Sequence, residues 1–317
     1  MYDHLSIQPL PNTLDIGPIS IPLYGLFIML GIVAALLLGL KEGKKIGISS
    51  DDILDGLLII LPLALLGTRL WYVAFEWDQF KDYLPSIIGF QPDGSFDGLS
   101  GLAIHGGFFT AVVATYFYTK KKQMDLFKAL DLLAPGFLIA QSMGRWGNFF
   151  NQEAHGGVVG GLLTDGSVAL SLDAQRSFLS NTLRLPEFIV NNMFFNPGGA
   201  LGNGRQYYHP TFLYESIWNL AGFAIILILR RTKFTRSGDM IAFYFVWYGS
   251  GRFFIEGLRT DSLYLWNSGL RTAQVVSLLM IIGGLVFIGF NHFKFKRKHY
   301  AEILNENSVQ LKTEVKN

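Results

Sequence analysis

Apolar residues along this chain of 317 residues are gathered into long runs separated by shorter polar segments. A helix that spans a bilayer needs about 20 mostly apolar residues. Seven runs approach that length, at residues 20–40, 53–75, 100–118, 125–144, 212–229, 239–257 and 272–290. The third and the sixth are the weakest, because each contains polar or ionisable residues. The pattern predicts an all-α polytopic membrane protein, a bundle of seven transmembrane helices.

Basic residues in the connecting segments predict how these runs are oriented. Such residues follow the first, third, fifth and seventh runs, whereas the loop at 78–100 is acidic. Because cytoplasmic loops carry an excess of Lys and Arg, the N-terminus is predicted outside and the C-terminus in the cytoplasm. The residues that set this orientation are Lys41, Lys44, Lys45, Lys120, Lys121, Lys122, Arg230, Arg231, Lys233, Arg236, Lys294, Lys296, Arg297 and Lys298.

One connecting segment, at 145–211, is too long to be a turn. It follows the fourth run and faces outward in the predicted topology, so we expect it to form a small extracytoplasmic head. Residues 1–299 are then a single seven-helix membrane domain with this head inserted. Residues 300–317 are polar and are predicted to be a disordered cytoplasmic tail.

The composition supports a membrane protein and narrows its chemistry. The chain is 50% hydrophobic and 16% charged, whereas soluble domains carry about 25% charged residues. A net charge of +2 indicates no nucleic-acid partner. Cysteine is absent, so any thiol chemistry must use a thiol from a substrate. Since no His or carboxylate spacing suits a metal ion, no metal and no cofactor are predicted.

A polar cluster follows the fourth apolar run directly. Within residues 144–156 stand Arg145, Asn148, Asn151 and Glu153, set among glycines that include Gly156. A helix that leaves a bilayer needs one anchoring charge, not a group of fixed donors and an acid. At the boundary of water and lipid, this cluster suits the binding of a charged head group.

The sixth run carries a second polar group in helical register. Tyr248, Arg252, Glu256 and Arg259 follow one another at steps of four, four and three, which puts them on one face of a helix. That face must turn to the bundle interior, and arginine favours bidentate binding of a phosphate or carboxylate. The alternative is an internal ladder of ion pairs that only stabilises packing.

Further polar residues lie in the outer half of the predicted spans, namely Tyr24, Arg69, His105 and Gln141. Charged groups at the bilayer centre cost about 2.5–3.5 kcal/mol each, so their grouping predicts a shared polar cavity. Tyr24, Arg69 and His105 also have structural interpretations. Tyr24 fits an interfacial belt, Arg69 fits a side chain that snorkels to the interface, and His105 fits a packed histidine. The two glycines after His105 favour space for a ligand there.

The start of the fifth run has a structural interpretation. Thr211 is placed to cap the helix, with Tyr214 and Glu215 in its first turn. We therefore predict a structural role for these three residues.

The cluster and its satellites resemble a known family. Gly144-Arg145-x-Gly147-Asn148-Phe149-x-Asn151-x-Glu153-x-x-Gly156 matches, at every fixed position, the signature of the bacterial prolipoprotein diacylglyceryl transferases. The resemblance covers almost the whole chain, except the middle of 157–208 and the tail after 299. The other matching residues are Tyr24, Gly25, Gly67, Arg69, His105, Gly106, Gly107, Asp131, Pro135, Gln141, Pro210, Thr211, Tyr214, Glu215, Tyr248, Gly249, Arg252, Glu256 and Arg259.

The resemblance implies a multi-pass enzyme of the bacterial inner membrane whose active site faces the outer leaflet. Such an enzyme transfers the sn-1,2-diacylglyceryl group of phosphatidylglycerol to the lipobox cysteine of a prolipoprotein signal peptide. A thioether forms and glycerol phosphate leaves, which is the first step of lipoprotein maturation. No cofactor is implied.

The resemblance and the residue pattern together suggest roles at the site. Arg145 and Arg252 are the expected phosphate ligands and catalytic groups. The further residues expected at the phosphatidylglycerol site are Asn148, Asn151, Glu153, Gly156, Tyr248, Glu256 and Arg259. His105, Tyr24 or the arginines alone could promote loss of the thiol proton, and the sequence leaves these options open.

Two other classes of function compete with this interpretation. A transporter for lipids or organic anions would also use a charged cavity, but it needs polar access from both faces. The predicted polar groups lie only in the outer half of the membrane spans, which argues against transport. A scaffold that binds phospholipid without chemistry is the second alternative.

Overall fold

The computed structural model describes residues 7–96, 98, 101, 103–162, 168–196, 204–260, 264 and 269–314. In those ranges the chain is mostly helical. The helices are α1 (Leu23–Gly43), α2 (Ser50–Phe75), α3 (Ile104–Lys121), α4 (Leu126–Phe150), α5 (Leu172–Ser177), α6 (Glu187–Asn192), α7 (Thr211–Leu229), α8 (Asp239–Leu258), α9 (Thr272–Phe290) and α10 (Tyr300–Glu314). Two short antiparallel pairs complete the fold, β1 (Thr13–Ile16) with β2 (Ile19–Pro22) and β3 (Phe194–Phe195) with β4 (Gln206–Tyr207).

Five helices of the described chain are long and apolar enough to cross a membrane, which confirms the prediction of a helical polytopic membrane protein. They are α1, α2, α4, α7 and α9, with α1 and α9 extended by a turn. The remaining two predicted spans form the helices α3 and α8, of 18 and 20 residues. These two are the runs that the sequence marks as weakest.

Several predicted boundaries are wrong by a few residues, and two of them have a visible cause. The first span begins at Leu23 and not at residue 20, because Ile19–Pro22 pair as β2 of a hairpin. The fourth span does not end at residue 144, since α4 continues to Phe150. Its last two turns therefore carry Arg145 and Asn148, and the polar cluster begins on the helix rather than in a loop.

The chain forms two compact units, one of residues 1–38 and 131–303, the other of residues 39–130 and 304–317. In the second unit α2 packs closely on α3. A Cβ atom on Gly106 would lie 2.3 Å from the carbonyl oxygen of Gly67, and one on Gly107 would lie 2.5 Å from the Thr68 Cγ2. The glycines after His105 therefore allow two helices to approach, and the expectation that they leave space for a ligand is wrong.

Arg69 does not snorkel to an interface. It is buried at 5% exposure and donates to the carbonyl oxygens of Ile87 and Ser86 at 2.7 Å and of Gly101 at 3.1 Å. Its guanidinium also lies 4.9 Å from the centre of the Phe80 ring. Arg69 thus holds the loop between α2 and α3 through three carbonyl groups.

In the first unit, α8 begins where a carboxylate of α4 caps it. Asp131 is fully buried and accepts from the backbone N–H groups of Gly238 at 2.6 Å and Ile241 at 3.1 Å. Unpaired N–H groups at a helix start favour such an acceptor. This cap fixes the position of α8 along its axis relative to α4. It thereby also fixes where Arg252 and Glu256 lie relative to the side chains of α4.

Side chains also join α7 to its neighbours. Trp218 and Trp247 stack at 4.4 Å and each indole N–H donates to the other's carbonyl oxygen at 2.9 Å, which ties α7 to α8. The Ser142 and Ser216 hydroxyls lie 2.8 Å apart and tie α7 to α4. The helices α4, α7 and α8 are thereby held side by side.

The segment between α4 and α7 folds around an apolar core of its own. Buried residues from this segment, including Leu179, Val190 and Tyr207, pack with Phe149 of α4 and Phe212 of α7. The core thus holds the end of α4 and the start of α7 together.

The predicted disorder of the tail is wrong for residues 300–314, and residues 315–317 lie outside the described part of the chain. Residues 300–314 form α10, and Tyr300 and Ile303 at its start are each only 1% exposed. The Tyr300 hydroxyl accepts from Arg230 at 3.2 Å.

Candidate functional site

Four charged side chains of α4, α7 and α8 form a continuous series of ion pairs. Arg145 contacts Glu215 at 2.6 Å, and the other Glu215 oxygen lies 3.8 Å from Arg252. Arg252 in turn contacts Glu256, one turn along α8, at 2.5 Å. The two arginines are therefore joined through a shared carboxylate.

The two carboxylates are more deeply buried than the two arginines. The side chains of Glu215 and Glu256 are 4% and 2% exposed, whereas those of Arg145 and Arg252 are 19% and 17% exposed. Each guanidinium has five N–H donors, so the acids hold the arginines without using every donor. The ion pairs of the packing alternative are present, and they also orient two partly accessible cations.

Glu215 is the central residue that the sequence interpretation missed. It was assigned a structural place in the first turn of α7, yet it joins the arginines of two other helices. An ionisable residue inside an apolar run is a functional candidate by default. The same rule marked Arg252 as a functional candidate. Applied to Glu215, it would have marked that residue as well.

Thr211 does not cap α7 with its own side chain. Pro210 takes the cap position, and the Thr211 hydroxyl donates instead to the Ala154 carbonyl oxygen at 2.8 Å. This bond ties the start of α7 to the turn that follows the signature.

A hydrogen-bonded series leads from the end of α4 to Arg145. Glu153 accepts from Asn148 at 2.9 Å and from Asn151 at 3.4 Å, and Asn148 accepts from Arg145 at 3.1 Å. The chain turns tightly here, with positive φ at Gln152 and Ala154, and this turn brings Glu153 back over Asn148. Glu153 therefore orients Asn148, and Asn148 orients the guanidinium.

Gly156 and Arg259 meet through their backbones. They form an isolated antiparallel bridge, and the Gly156 N–H donates to the His209 carbonyl oxygen at 3.0 Å. A Cβ atom on Gly156 would lie 2.8 Å from the His209 Cβ and 3.0 Å from the Thr211 Cγ2. Close packing thus explains why this position has no side chain, and it joins the signature to the end of α8.

Two further candidates on α1 and α8 lie beside the cluster. A Cβ atom on Gly147 would lie 2.8 Å from the Tyr24 Cδ2, so Tyr24 packs directly on the signature with 37% of its surface exposed. Tyr248 stacks on Tyr244 at 5.7 Å and lies beside the charges of Arg145, Glu215 and Arg252. Of the stripe predicted on the sixth run, Tyr248, Arg252 and Glu256 therefore face the ion pairs. The prediction that Arg259 shares their helical face is wrong, because α8 ends at Leu258 and Arg259 has an extended backbone.

His105 belongs to the second unit, where it is the second residue of α3 and has an exposed side chain. Within the described ranges, no three His, Asp or Glu side chains are grouped to hold a metal ion. The site in the first unit is thus built from arginines, carboxylates, amides and phenols.

Comparisons with known proteins agree with the motifs. A profile of the prolipoprotein diacylglyceryl transferase family matches residues 11–290. The chain is 41% identical over 297 residues to a protein of Listeria innocua named phosphatidylglycerol–prolipoprotein diacylglyceryl transferase, covering 93% of this chain and 95% of that protein. Relatives with the same name from Streptococcus sanguinis and Bacillus licheniformis are 42% and 40% identical, and the matches cover 93% and 94% of this chain and 99% of each relative. The family predicted from the motifs is confirmed, and the chain belongs to the prolipoprotein diacylglyceryl transferases.

Proposed function

We propose that this membrane protein transfers the sn-1,2-diacylglyceryl group of phosphatidylglycerol to the lipobox cysteine of a prolipoprotein. The product is a thioether, glycerol phosphate leaves, and lipoprotein maturation thereby begins. The family membership supports the reaction class. The observation that carries the assignment within the molecule is the pair of partly accessible arginines on buried carboxylates.

The reaction needs stabilisation of a leaving phosphate. The thiolate sulfur attacks the glyceryl carbon that bears the phosphate, the carbon–oxygen bond breaks, and its electron pair leaves with glycerol phosphate. Negative charge on the phosphate therefore grows in the transition state, where fixed donors are most effective. We assign that role to Arg145 and Arg252, because both are already oriented by Glu215.

The surrounding residues act on the arginines in this proposal. Asn148, Asn151 and Glu153 orient Arg145, Glu256 orients Arg252, and Gly156 and Arg259 join the backbones that carry them. Tyr248 borders the phosphate position. A rigid second layer of this kind reduces the reorganisation needed when charge develops.

Three causes are proposed for the loss of the thiol proton. Because the chain contains no cysteine, the nucleophile is the substrate thiol, whose reference pKa is about 8.5. Nearby cations lower the pKa of a thiol. We propose that His105 or Tyr24 accepts the proton, or that the positive charge of Arg145 and Arg252 alone lowers the thiol pKa enough for the proton to leave to water. The exposed side chains of His105 and Tyr24 support the first two options.

We also propose the full topology, with seven spans in the bacterial inner membrane, the N-terminus outside and the C-terminus in the cytoplasm. The polar stripe lowers the hydropathy of α8, but it faces α7, so α8 can still cross a bilayer. The segment at 151–210 is then the extracytoplasmic head, 300–317 lies in the cytoplasm, and the site opens to the outer leaflet. The basic loops support this orientation.

The experiment is a transfer assay with the purified full chain in nanodiscs that contain phosphatidylglycerol labelled in its glyceryl backbone. Addition of a lipobox peptide is expected to yield a labelled thioether, detected by mass spectrometry. A peptide with Ser in place of the cysteine is the matched control. Absence of the thioether would contradict the proposal. Lipid movement without product would favour a transporter, and lipid binding alone would favour a scaffold.

A further inference from the structure

Beneath the ion pairs, the same three helices bury a layer of uncharged polar side chains. Asn219 lies one turn along α7 from Glu215, and the buried face continues through Gly222 and Ile226. Glu215 contacts both α4 and α8, so Asn219 faces the same groove one turn farther along.

The facing helices carry polar groups at that level. Gln141 lies one turn before Arg145 on α4, and Tyr248 lies one turn before Arg252 on α8. The Gln141 amide nitrogen donates to the hydroxyl of Tyr244 at 2.9 Å, which places Gln141 against α8. Because α7 runs antiparallel to α4 and α8, all these groups lie on the same side of the ion pairs. We call Gln141, Asn219, Tyr244 and Tyr248 the amide layer.

The amide layer has hydrogen-bonding atoms left over. Asn219 is fully buried, and neither its amide nitrogen nor its amide oxygen has a hydrogen-bond partner among the described residues. The amide oxygen of Gln141 is buried and equally without a partner among them. Buried polar groups are almost always satisfied, because loss of water without a replacement bond is unfavourable. These three atoms are therefore available to bind a polar group that enters the groove.

The free atoms define the chemistry of that ligand. They comprise two carbonyl acceptors and one amide donor, and the layer itself contains no charge. Two adjacent hydroxyl groups would donate to both acceptors and accept from the amide nitrogen. An ammonium group would need a carboxylate, and Glu215, one turn away on α7, is already paired with two arginines.

We infer that the amide layer binds the glycerol hydroxyl groups of the donor lipid and so selects phosphatidylglycerol by its head group. This inference rests on the proposed function, in which Arg145 and Arg252 bind the phosphate. The head-group glycerol then extends from the phosphate into the layer one turn away. Asn219 is then a specificity-determining residue. It belongs neither to the family signature at 144–156 nor to the other residues that match the family.

The test compares two donor lipids with identical acyl chains, phosphatidylglycerol and phosphatidylethanol, which lacks both hydroxyl groups. The purified full chain in nanodiscs should give a kcat/KM about 10-fold or more higher with phosphatidylglycerol, as expected for loss of one or two neutral hydrogen bonds. Asn219→Leu, which has the same number of heavy atoms and the same branching but is apolar, should lower kcat/KM for phosphatidylglycerol about 10-fold. With phosphatidylethanol, its kcat/KM should stay within about twofold of the unsubstituted protein.

Asn219→Leu also separates ligand binding from a structural role. Because it replaces unsatisfied atoms with an apolar group, its thermal midpoint should be unchanged or higher, measured by tryptophan fluorescence. Ser216→Ala is the matched control, since that hydroxyl is buried on the same helix and is already paired with Ser142. It should affect the two donors equally.

Equal use of both lipids by the unsubstituted protein would overturn the inference. An equal loss with both lipids in Asn219→Leu and in a second variant, Asn219→Ala, would also overturn it and leave water binding or packing as the role of Asn219. Failure of the proposed function gives a different result, namely no thioether from either lipid with the unsubstituted protein.

Discussion

Glu215 of α7 lies 2.6 Å from Arg145 of α4, and only 4% of its side chain is exposed. The opposite carboxylate oxygen of Glu215 points toward Arg252. One acid thus sets the positions of two cations that come from different helices. The arginines are fixed before any lipid arrives, which is what an electrostatic site for a leaving phosphate requires.

Glu215→Gln tests this relationship. Loss of one partner of a buried ion pair costs about 3–5 kcal/mol, because it leaves the other charge uncompensated. We expect a lower thermal midpoint and a fall of about 100-fold or more in transfer rate, since both arginines lose their common partner. Glu187→Gln is the control, because Glu187 pairs with Arg176 at 2.8 Å but is 65% exposed. An exposed pair contributes about 0–1 kcal/mol, so equal effects of the two variants would contradict the role of Glu215.

Arg252→Gln should abolish transfer. It removes a phosphate ligand and leaves Glu256 without its contact at 2.5 Å, so the variant should also be less stable. Arg252→Gln combined with Glu256→Gln removes both charges and should recover the thermal midpoint while staying inactive. Transfer and unfolding are measured on the same preparations, with Arg176→Gln as the arginine control. Full activity of purified Arg252→Gln would rule out the assigned role.

His105→Asn tests whether a histidine takes the substrate proton. A general base contributes about 100-fold to 10,000-fold, so we expect a loss of that order if His105 is the base. Tyr24→Phe keeps the ring on Gly147 and removes only the hydroxyl, which makes it the comparison for the second candidate. Turnover is measured from about pH 6 to 9, a range that includes the reference pKa of a thiol. Near-normal turnover of His105→Asn across this pH range would show that His105 is not the base. Tyr24 or the positive charge of the arginines would then account for the loss of the thiol proton.

His209 predicts a pH dependence of stability. Burial lowers the pKa of His209 below its usual value, because the charged form is poorly solvated. The unfolded chain therefore takes up this proton first as the pH falls through about 6.5, and the folded state loses stability. The loss continues until the pH reaches the folded pKa. Thermal midpoints of the unsubstituted protein and His209→Gln should converge below about pH 6.5, and parallel curves would contradict the assignment.

The positions on single helices were predictable from spacing. Tyr248, Arg252 and Glu256 recur at the helical period, and that period alone predicts a common face whatever packs against it. The family signature was visible for the same reason, since its residues are contiguous in the chain. The helix boundaries were less predictable, because α4 remains helical past its last apolar residue.

By itself, the sequence determined the family, the helical membrane character and the presence of two arginines near one another in the proposed site. These follow from hydropathy, local period and contiguous motifs. Only the tertiary structure decided that Glu215 joins the arginines, that Arg69 holds a loop, and that Asn219 has no partner among the described residues. Each of these facts depends on which helices are neighbours and on their axial positions. Asp131 at the start of α8 and the paired tryptophans set those positions through contacts between residues far apart in the chain.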